Sequence, residues 1–326
     1  MKTRRLGKTG IEVSEIGFGS WGIGGSHGDS VAYGPTDDAV SRAALREARE
    51  TGINFFDTSP VYGYGRGETL IGEVFEGARE KVALATKVGF VHSSGAQDFS
   101  PAHLEESLEG SLKRLRTDRV DLYQVHDPPM ALLEREPAVM ETLRSLKEQG
   151  KVRALGITVR SPEEAFQAVE RFGFECVQIN FNLLDQRVLQ NGLLDFCGSR
   201  GVGVIVRTPL CFGFLTGAYA AEGPFDPADH RSRWSLEQRA LWVEGYRIFQ
   251  SVLSDERQTP AQLALRFCLS HPAVSTVIPG IMRPEHALED VVASEMGPLA
   301  PAQMDRLRRI YEGQRFFIKD RLVLSE

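Results

Sequence analysis

Three polar side chains stand where apolar runs end, and a phenol follows the first of them in a loop. Asp57 closes Asn-Phe-Phe-Asp, Lys87 closes Val-Ala-Leu-Ala-Thr-Lys and His126 closes Asp-Leu-Tyr-Gln-Val-His, while Tyr62 follows Asp57 by five residues in the glycine-rich loop Thr-Ser-Pro-Val-Tyr-Gly-Tyr-Gly. Taken singly, each has an ordinary role. A lysine at a strand end is usually solvated, an aspartate before Thr-Ser caps a turn, and a histidine before Asp-Pro-Pro sits in one. Three adjacent strands ending this way would aim their groups into one mouth, with Tyr62 entering from its loop. A phenol ionises near pKa ~10, so it is a poor acid or base at neutral pH unless an ammonium favours the phenolate. Lys87 can supply that charge, and Asp57 can keep Lys87 protonated and oriented. The set then reads as a general acid, Tyr62, that gives a proton to a carbonyl oxygen as the oxygen gains charge, with His126 adding a second hydrogen bond. No side chain supplies hydride, so a nicotinamide cofactor is the economical inference. No metal-ligand cluster or nucleophile-base pair has recognisable spacing, and no metal is expected.

Elements that would position these groups alternate along the chain. The pattern predicts a hairpin over 2–14 turning at Gly7-Lys8-Thr9-Gly10, then a strand over 15–18. Strands over 53–57, 82–87, 120–126, 152–157, 176–180, 202–207 and 274–278 follow. The helices between them are predicted over 36–51, 67–78, 101–116, 137–149, 162–171, 186–199 and 260–270, with Thr36 as N-cap of the first. Strands apolar almost throughout, each followed by a helix, imply a parallel sheet covered on its faces. Eight such units predict an α/β fold of the (β/α)8 TIM-barrel type. The remaining length gives the N-terminal β-hairpin, an added helix near 236–256 and a C-terminal helix over 301–313. A doubly wound open sheet is the alternative. Gly17-Phe-Gly-Ser-Trp-Gly22 matches the dinucleotide fingerprint in form only, because glycines continue the loop where that fingerprint needs a helix. No linker or composition break divides the chain, so 1–326 is expected to be a single domain.

Composition narrows the function classes. The chain has 326 residues, a formal charge of −6, 42% hydrophobic and 25% charged residues, which is the make-up of an ordinary globular protein. Its acidic balance argues against nucleic-acid partners and anionic membrane surfaces. The four cysteines, 176, 197, 211 and 268, lack CxxC spacing and read as small buried hydrophobes in a reducing compartment. No apolar run reaches the ~18 residues of a membrane span and no signal-peptide core follows Met1, so a cytoplasmic location is the expectation.

These residues resemble the aldo-keto reductase family. The likeness rests on Arg-Arg-Leu-Gly-Lys-Thr-Gly-Ile-Glu-Val-Ser at the N-terminus, Asp-Thr-Ser-Pro-Val-Tyr-Gly at 57–63, Ala-Thr-Lys-Val-Gly at 85–89, Asp-Leu-Tyr-Gln-Val-His at 121–126 and Ile-Pro-Gly at 278–280. It implies a (β/α)8 barrel and reversible reduction of aldehydes or ketones by NAD(P)H. By that resemblance Asp57, Tyr62, Lys87 and His126 match the catalytic tetrad, Tyr62 being the proton donor and Tyr64 the rival phenol. Gly19 and Trp21 match the first strand's loop, Asp57 also borders the cofactor, and Gln178 matches a glutamine on the nicotinamide amide. Thr158-Val159 stands where many relatives have Ser-Asn, leaving Thr158 to donate. Arg207, before Thr208-Pro209-Leu210, stands where many stack a tyrosine on the nicotinamide; its guanidinium plane can also stack. Gly213, Leu215 and Gly217 resemble the pyrophosphate loop, with Ala218 where a lysine is common.

Beyond the last strand, Gly280-Ile-Met-Arg-Pro-Glu-His286 puts Met282 at the family's arginine, Arg283 one place on, His286 for a glutamine and Asp290 for the asparagine on the adenine. A helix starting at Pro284 and the Arg283 guanidinium favour a 2′-phosphate, so NADP is the expected cofactor, with NAD possible. The substrate wall is assigned to Trp21, Tyr64, Phe90 and Trp234, with Phe212 equally suited to packing. Arg231 and Arg233 are candidates for an anionic substrate, against the alternative of a solvated loop. The leading reading is a carbonyl reductase using NADPH on a small-molecule substrate. A cofactor-occupied regulatory subunit and a sugar dehydrogenase running in the oxidative direction are the others. Oligomeric state is not encoded in any motif here.

Overall fold

The computed structural model describes residues 1–318 apart from 27, 29, 92–94 and 254–256. Its chain opens with an antiparallel hairpin, β1 (Thr3–Arg5) and β2 (Glu12–Ser14), and then enters eight parallel strands. These are β3 (Phe18–Gly19), β4 (Phe55–Asp57), β5 (Ala83–Val88), β6 (Val120–His126), β7 (Val152–Thr158), β8 (Cys176–Asn180), β9 (Gly203–Arg207) and β10 (Val274–Val277), hydrogen-bonded in chain order. The first and last strands meet. Gly17 N–H donates to the Val277 carbonyl at 2.8 Å, Val277 N–H to Glu15 O at 2.9 Å, and Gly19 bridges Gly280, so the sheet curls into the expected barrel rather than an open sheet.

Helices follow the strands: α1 (Trp21–Gly24), α2 (Asp38–Glu50), α3 (Arg66–Phe75), α4 (Pro101–Leu115), α5 (Met130–Arg135), α6 (Pro137–Glu148), α7 (Pro162–Gln167), α8 (Arg187–Gln190), α9 (Leu193–Arg200), α10 (Leu236–Leu253), α11 (Pro260–Leu269), α12 (Pro284–Met296) and α13 (Pro301–Glu312). The helix expected over 186–199 is broken at Gly192, which turns left-handed with φ 77° between α8 and α9. The helix expected over 162–171 keeps α-geometry only to Gln167 and continues as a π-turn over Ala168–Phe172. The N-cap of α2 is Asp37, whose carboxylate accepts from Val40 N–H at 2.9 Å; the Thr36 hydroxyl accepts instead from Arg66 at 2.9 Å. The turn α1 was not expected, and residues 254–256 of the helix placed at 236–256 lie outside the described residues.

Two-residue periodicity explains how apolar strands carry a polar site. Alternate side chains of a barrel strand face inward, and the inward set stacks in layers. Outward residues such as Phe56, Leu84, Tyr123, Val125, Ile157 and Val206 join the large core beneath the helices. Of the inward set, Phe55, Ala85, Leu122 and Ile205 form a small cluster with Leu6, Ile11 and Val13, so the hairpin plugs the lower end. Arg4 fastens that plug to the end of the sheet, donating to the carbonyls of Val274 at 2.7 Å and Leu269 at 2.9 Å. Two residues beyond Phe55, Ala85, Leu122 and Cys176 of that cluster come Asp57, Lys87, Gln124 and Gln178, and above them the rim. No described helix is long and apolar enough to cross a membrane.

Candidate active site

The polar layer is one connected network. Lys87 is fully buried and donates to an oxygen of the Asp57 carboxylate, to the Thr58 carbonyl at 2.9 Å and to the Tyr62 hydroxyl at 3.3 Å. The other Asp57 oxygen accepts from Gln124 at 2.8 Å and from Gln178 at 2.9 Å, and Gln178 also donates to the Gln124 amide oxygen at 3.0 Å. Parallel register makes this possible, because Lys87 pairs with Gln124 across β5 and β6. Gln124 had no place among the sequence candidates. Its signal was available in Leu122-x-Gln124-x-His126, where alternate residues must share a face.

Tyr62 reaches the network from the loop between β4 and α3, with its ring edge-on to His126 at 6.4 Å between centroids. That loop is pinned where Gly63, at φ 61°, lies against Gly24 of α1. A Cβ at Gly63 would come within 2.1 Å of the Gly24 carbonyl oxygen, and backbone cannot swing aside as a side chain can. Gly63→Ala is therefore expected to lower the unfolding free energy by at least ~2 kcal/mol, adding left-handed strain to a clash. Chemical denaturation measures the loss, and a midpoint and slope equal to wild type would contradict it.

Electrostatics assign protonation states. Burial alone would lower the Lys87 pKa, but the Asp57 carboxylate and the Tyr62 hydroxyl outweigh it and hold the ammonium charged above the usual range. For Tyr62 burial is the largest influence and raises the pKa, with Lys87 pulling the other way. The sequence expectation that the ammonium would tip the phenol toward phenolate is thus reversed in the net: Tyr62 is a protonated phenol, the form that can donate. His126 is pushed down to about 3 by burial and stays neutral.

Above the network opens a cavity of about 1740 Å³, which exceeds the ~300–1,000 Å³ of ordinary small-molecule pockets and has room for an extended dinucleotide beside a small substrate. Gly19, Trp21, Asp57, Tyr62, His126, Gln178, Arg207, Thr208, Pro209, Leu210, Gly213, Gly217, Gly280, Arg283, His286 and Asp290 all line it, as do Phe90 and Trp234. Others among the sequence candidates sit elsewhere. Leu215 is 1% exposed in the core, and Tyr64, at φ 56°, is 51% exposed and turned out of the cavity. Thr158 is fully buried, its hydroxyl donating to Asp127 and accepting from Asp127 N–H at 2.9 Å, so that donor is engaged. Arg207 is held by Asn180 at 3.1 Å, the Val159 carbonyl at 2.9 Å and both Asp127 oxygens at 3.4 Å. Arg231 is locked too, forked onto Asp229 and stacked over Tyr219 at 4.3 Å and Tyr33 at 4.8 Å. Trp21 packs on His230 at 4.8 Å and Phe212 on His230 at 5.0 Å, giving the cavity an aromatic side.

Backbone strain gathers at the same place. Asp127, Thr208 and Phe212 line the cavity with φ of 47°, 53° and 56°, and Cys211 and Tyr64 adjoin it at 44° and 56°. Non-glycine residues avoid this region, and such strain collects where a site over-determines the backbone. At the far end Asp290 is buried on α12, no described hydrogen bond engages its carboxyl, and burial holds its pKa well above the usual carboxylate range. Burial favours the protonated carboxyl, which can donate as well as accept, as an amide does, so this cradle suits a heterocyclic base.

Comparison with known proteins gives a consistent result. The family model described as Aldo/keto reductase family matches residues 15–312. Among curated proteins the chain is 32% identical over 295 residues to the aldo-keto reductase YhdN of Bacillus subtilis, covering 87% of this chain and 86% of that one. It is also 30% identical over 339 residues to a probable voltage-gated potassium channel subunit beta of Oryza sativa, covering 96% and 98%. Among solved structures it superposes on the aldo-keto reductase AKR11C1 of Bacillus halodurans, holo form, with a TM-score of 0.78 at 26% identity, covering all of both chains.

Proposed function

The chain belongs to the aldo/keto reductase family of nicotinamide-dependent oxidoreductases that act on carbonyl groups, and from this premise we propose that it reduces an aldehyde or ketone with NADPH, Tyr62 being the proton donor. The observation that carries the reading is the Asp57–Lys87–Tyr62 chain of hydrogen bonds ending on a cavity beside His126. A carbonyl oxygen placed between the Tyr62 hydroxyl and His126 would take a hydrogen bond from each. As negative charge develops on it, the Tyr62 proton moves across, and the Lys87 ammonium stabilises the phenolate left behind. Asp57 and the two glutamines hold Lys87 in place. The bound nicotinamide would supply the hydride. Gly213 and Gly217 would border its pyrophosphate, Gln178 and Arg207 the nicotinamide end, and His286 and Asp290 the adenine. A panel of aldehydes, ketones and sugars followed by NADPH consumption tests the reading, and no turnover above background on any of them would refute it.

Preference for NADP over NAD rests on Arg283, exposed on the cavity rim as N-cap of α12, with no described ion-pair partner. A guanidinium on a phosphate is a charge-assisted contact worth ~1.5–3 kcal/mol. Arg283→Ala is expected to weaken NADPH binding by roughly tenfold or more while NADH binding changes little. Fluorescence titration with both cofactors decides it; equal losses for both would remove Arg283 from the phosphate site. A regulatory subunit with slow turnover is the second reading, favoured by the end-to-end similarity to a channel subunit. Steady turnover of any carbonyl compound at enzyme-like rates counts against it.

A further inference from the structure

Among the described residues around Tyr62 and His126, ion pairing leaves one cation over, Arg160. Lys87 is matched by Asp57, and Arg207 by Asp127. Arg160 lies two residues past the end of β7, half-buried on the cavity wall with Arg207 and His126, and no described carboxylate pairs with its guanidinium. Among the described hydrogen bonds only its backbone N–H takes part, donating to Glu164 at 2.7 Å, where that carboxylate serves the N-terminus of α7. The Arg160 charge reaches the site: it helps to depress the pKa of both His126 and Asp127. With His126 neutral, the described charged groups at this end sum to one uncompensated positive charge, carried by a planar fork that fits a carboxylate. Of the two sequence candidates for reading an anion, Arg231 cannot do so, because Asp229 already occupies it, and Arg233 is exposed on the cavity wall beside His230, away from the Arg207–His126 group.

We propose that Arg160 selects substrates whose carbonyl group is accompanied by a carboxylate, making aldehyde or keto acids the favoured class. This rests on the carbonyl-reduction reading and narrows it. The guanidinium anchors the acid end while the carbonyl lies between Tyr62 and His126, and the net positive field draws the anion inward.

The test compares succinic semialdehyde with its methyl ester, and 4-carboxybenzaldehyde with its methyl ester, at low ionic strength. In the wild type the acid-to-ester ratio of kcat/KM should exceed one by about tenfold to a hundredfold for at least one pair, the range of one charge-assisted hydrogen-bonded contact. Arg160→Ala should bring that ratio to near one, Arg160→Lys should restore part of it, and added salt should shrink it in the wild type. Wild-type ratios at or below one for both pairs, or an unchanged ratio in Arg160→Ala, would overturn the assignment. Failure of the wild type to reduce any of the four compounds would count against the reaction, not Arg160. In that event calorimetric titration of 4-hydroxybutanoate and 4-hydroxybutanamide into NADP-loaded protein decides the matter: tighter binding of the acid, lost in Arg160→Ala, supports the inference, and any other pattern overturns it.

Discussion

Replacing Tyr62 with phenylalanine is expected to lower kcat for carbonyl reduction by ~10²–10⁴-fold, the usual worth of a positioned general acid. The change removes one oxygen atom and leaves the ring against Lys87 and His126, so cofactor affinity and folding should stay close to wild type. The size of the effect follows from the protonation state. Burial keeps the phenol protonated and Lys87 keeps its charge, so proton and counter-charge are both in place before the substrate arrives. His126 is held neutral and can orient the carbonyl oxygen but is a weak proton source. Single-turnover kinetics with saturating cofactor measure the loss. A kcat within tenfold of wild type would transfer the proton-donor role away from Tyr62.

Removing Lys87 should injure both activity and the fold. Lys87→Met leaves the Asp57 carboxylate buried with only Gln124 and Gln178 to face it, and breaking a buried ion pair from one side costs about 3–5 kcal/mol. Activity should fall at least as far as in Tyr62→Phe, because the phenolate formed in the reaction loses its stabilising charge. The two losses can be separated. The double variant Asp57→Asn with Lys87→Met removes both charges and keeps an acceptor for the glutamines, so denaturant unfolding should show much of the stability recovered while turnover stays absent. If the double variant were as unstable as Lys87→Met, the ion pair would not be the reason for the loss.

Which parts of this were legible in the sequence follows from local physics. Strand β6 falls on the predicted bounds because Thr117-Asp118 precede its apolar run and Asp127-Pro128-Pro129 follow it, and β8 matches too, starting just past the turn at Gly173. Asp57, Lys87 and His126 were visible because each interrupts an apolar run at its end, and Tyr62 because it follows Asp57 in a glycine-rich loop. Gln124 was hidden inside such a run, and only the inward register of β6 reveals it. Tyr64, assigned to the substrate wall, is exposed outside the cavity lining at φ 56°, a backbone torsion that composition does not carry. The free hydroxyl expected of Thr158 was absorbed by Asp127, thirty-one residues away in sequence, and local pattern is blind to a partner at that distance. Arg160 and Arg231 look alike as sequence. In the fold Arg231 is taken up by Asp229 and the rings of Tyr219 and Tyr33, whereas no described carboxylate folds back onto Arg160.

The seam between the first and last strands has a consequence for how the protein is made. Val277 pairs with residues near position 16, and Arg4 holds carbonyls at 269 and 274. A chain emerging from the ribosome therefore exposes the unpaired flank of β3, and the growing flank opposite, until β10 has been synthesised. Two open sheet edges of this kind recruit strands from neighbouring molecules. Truncations that end before β10 should accordingly appear as insoluble aggregates, and chaperone dependence should be concentrated in the interval before β10 emerges.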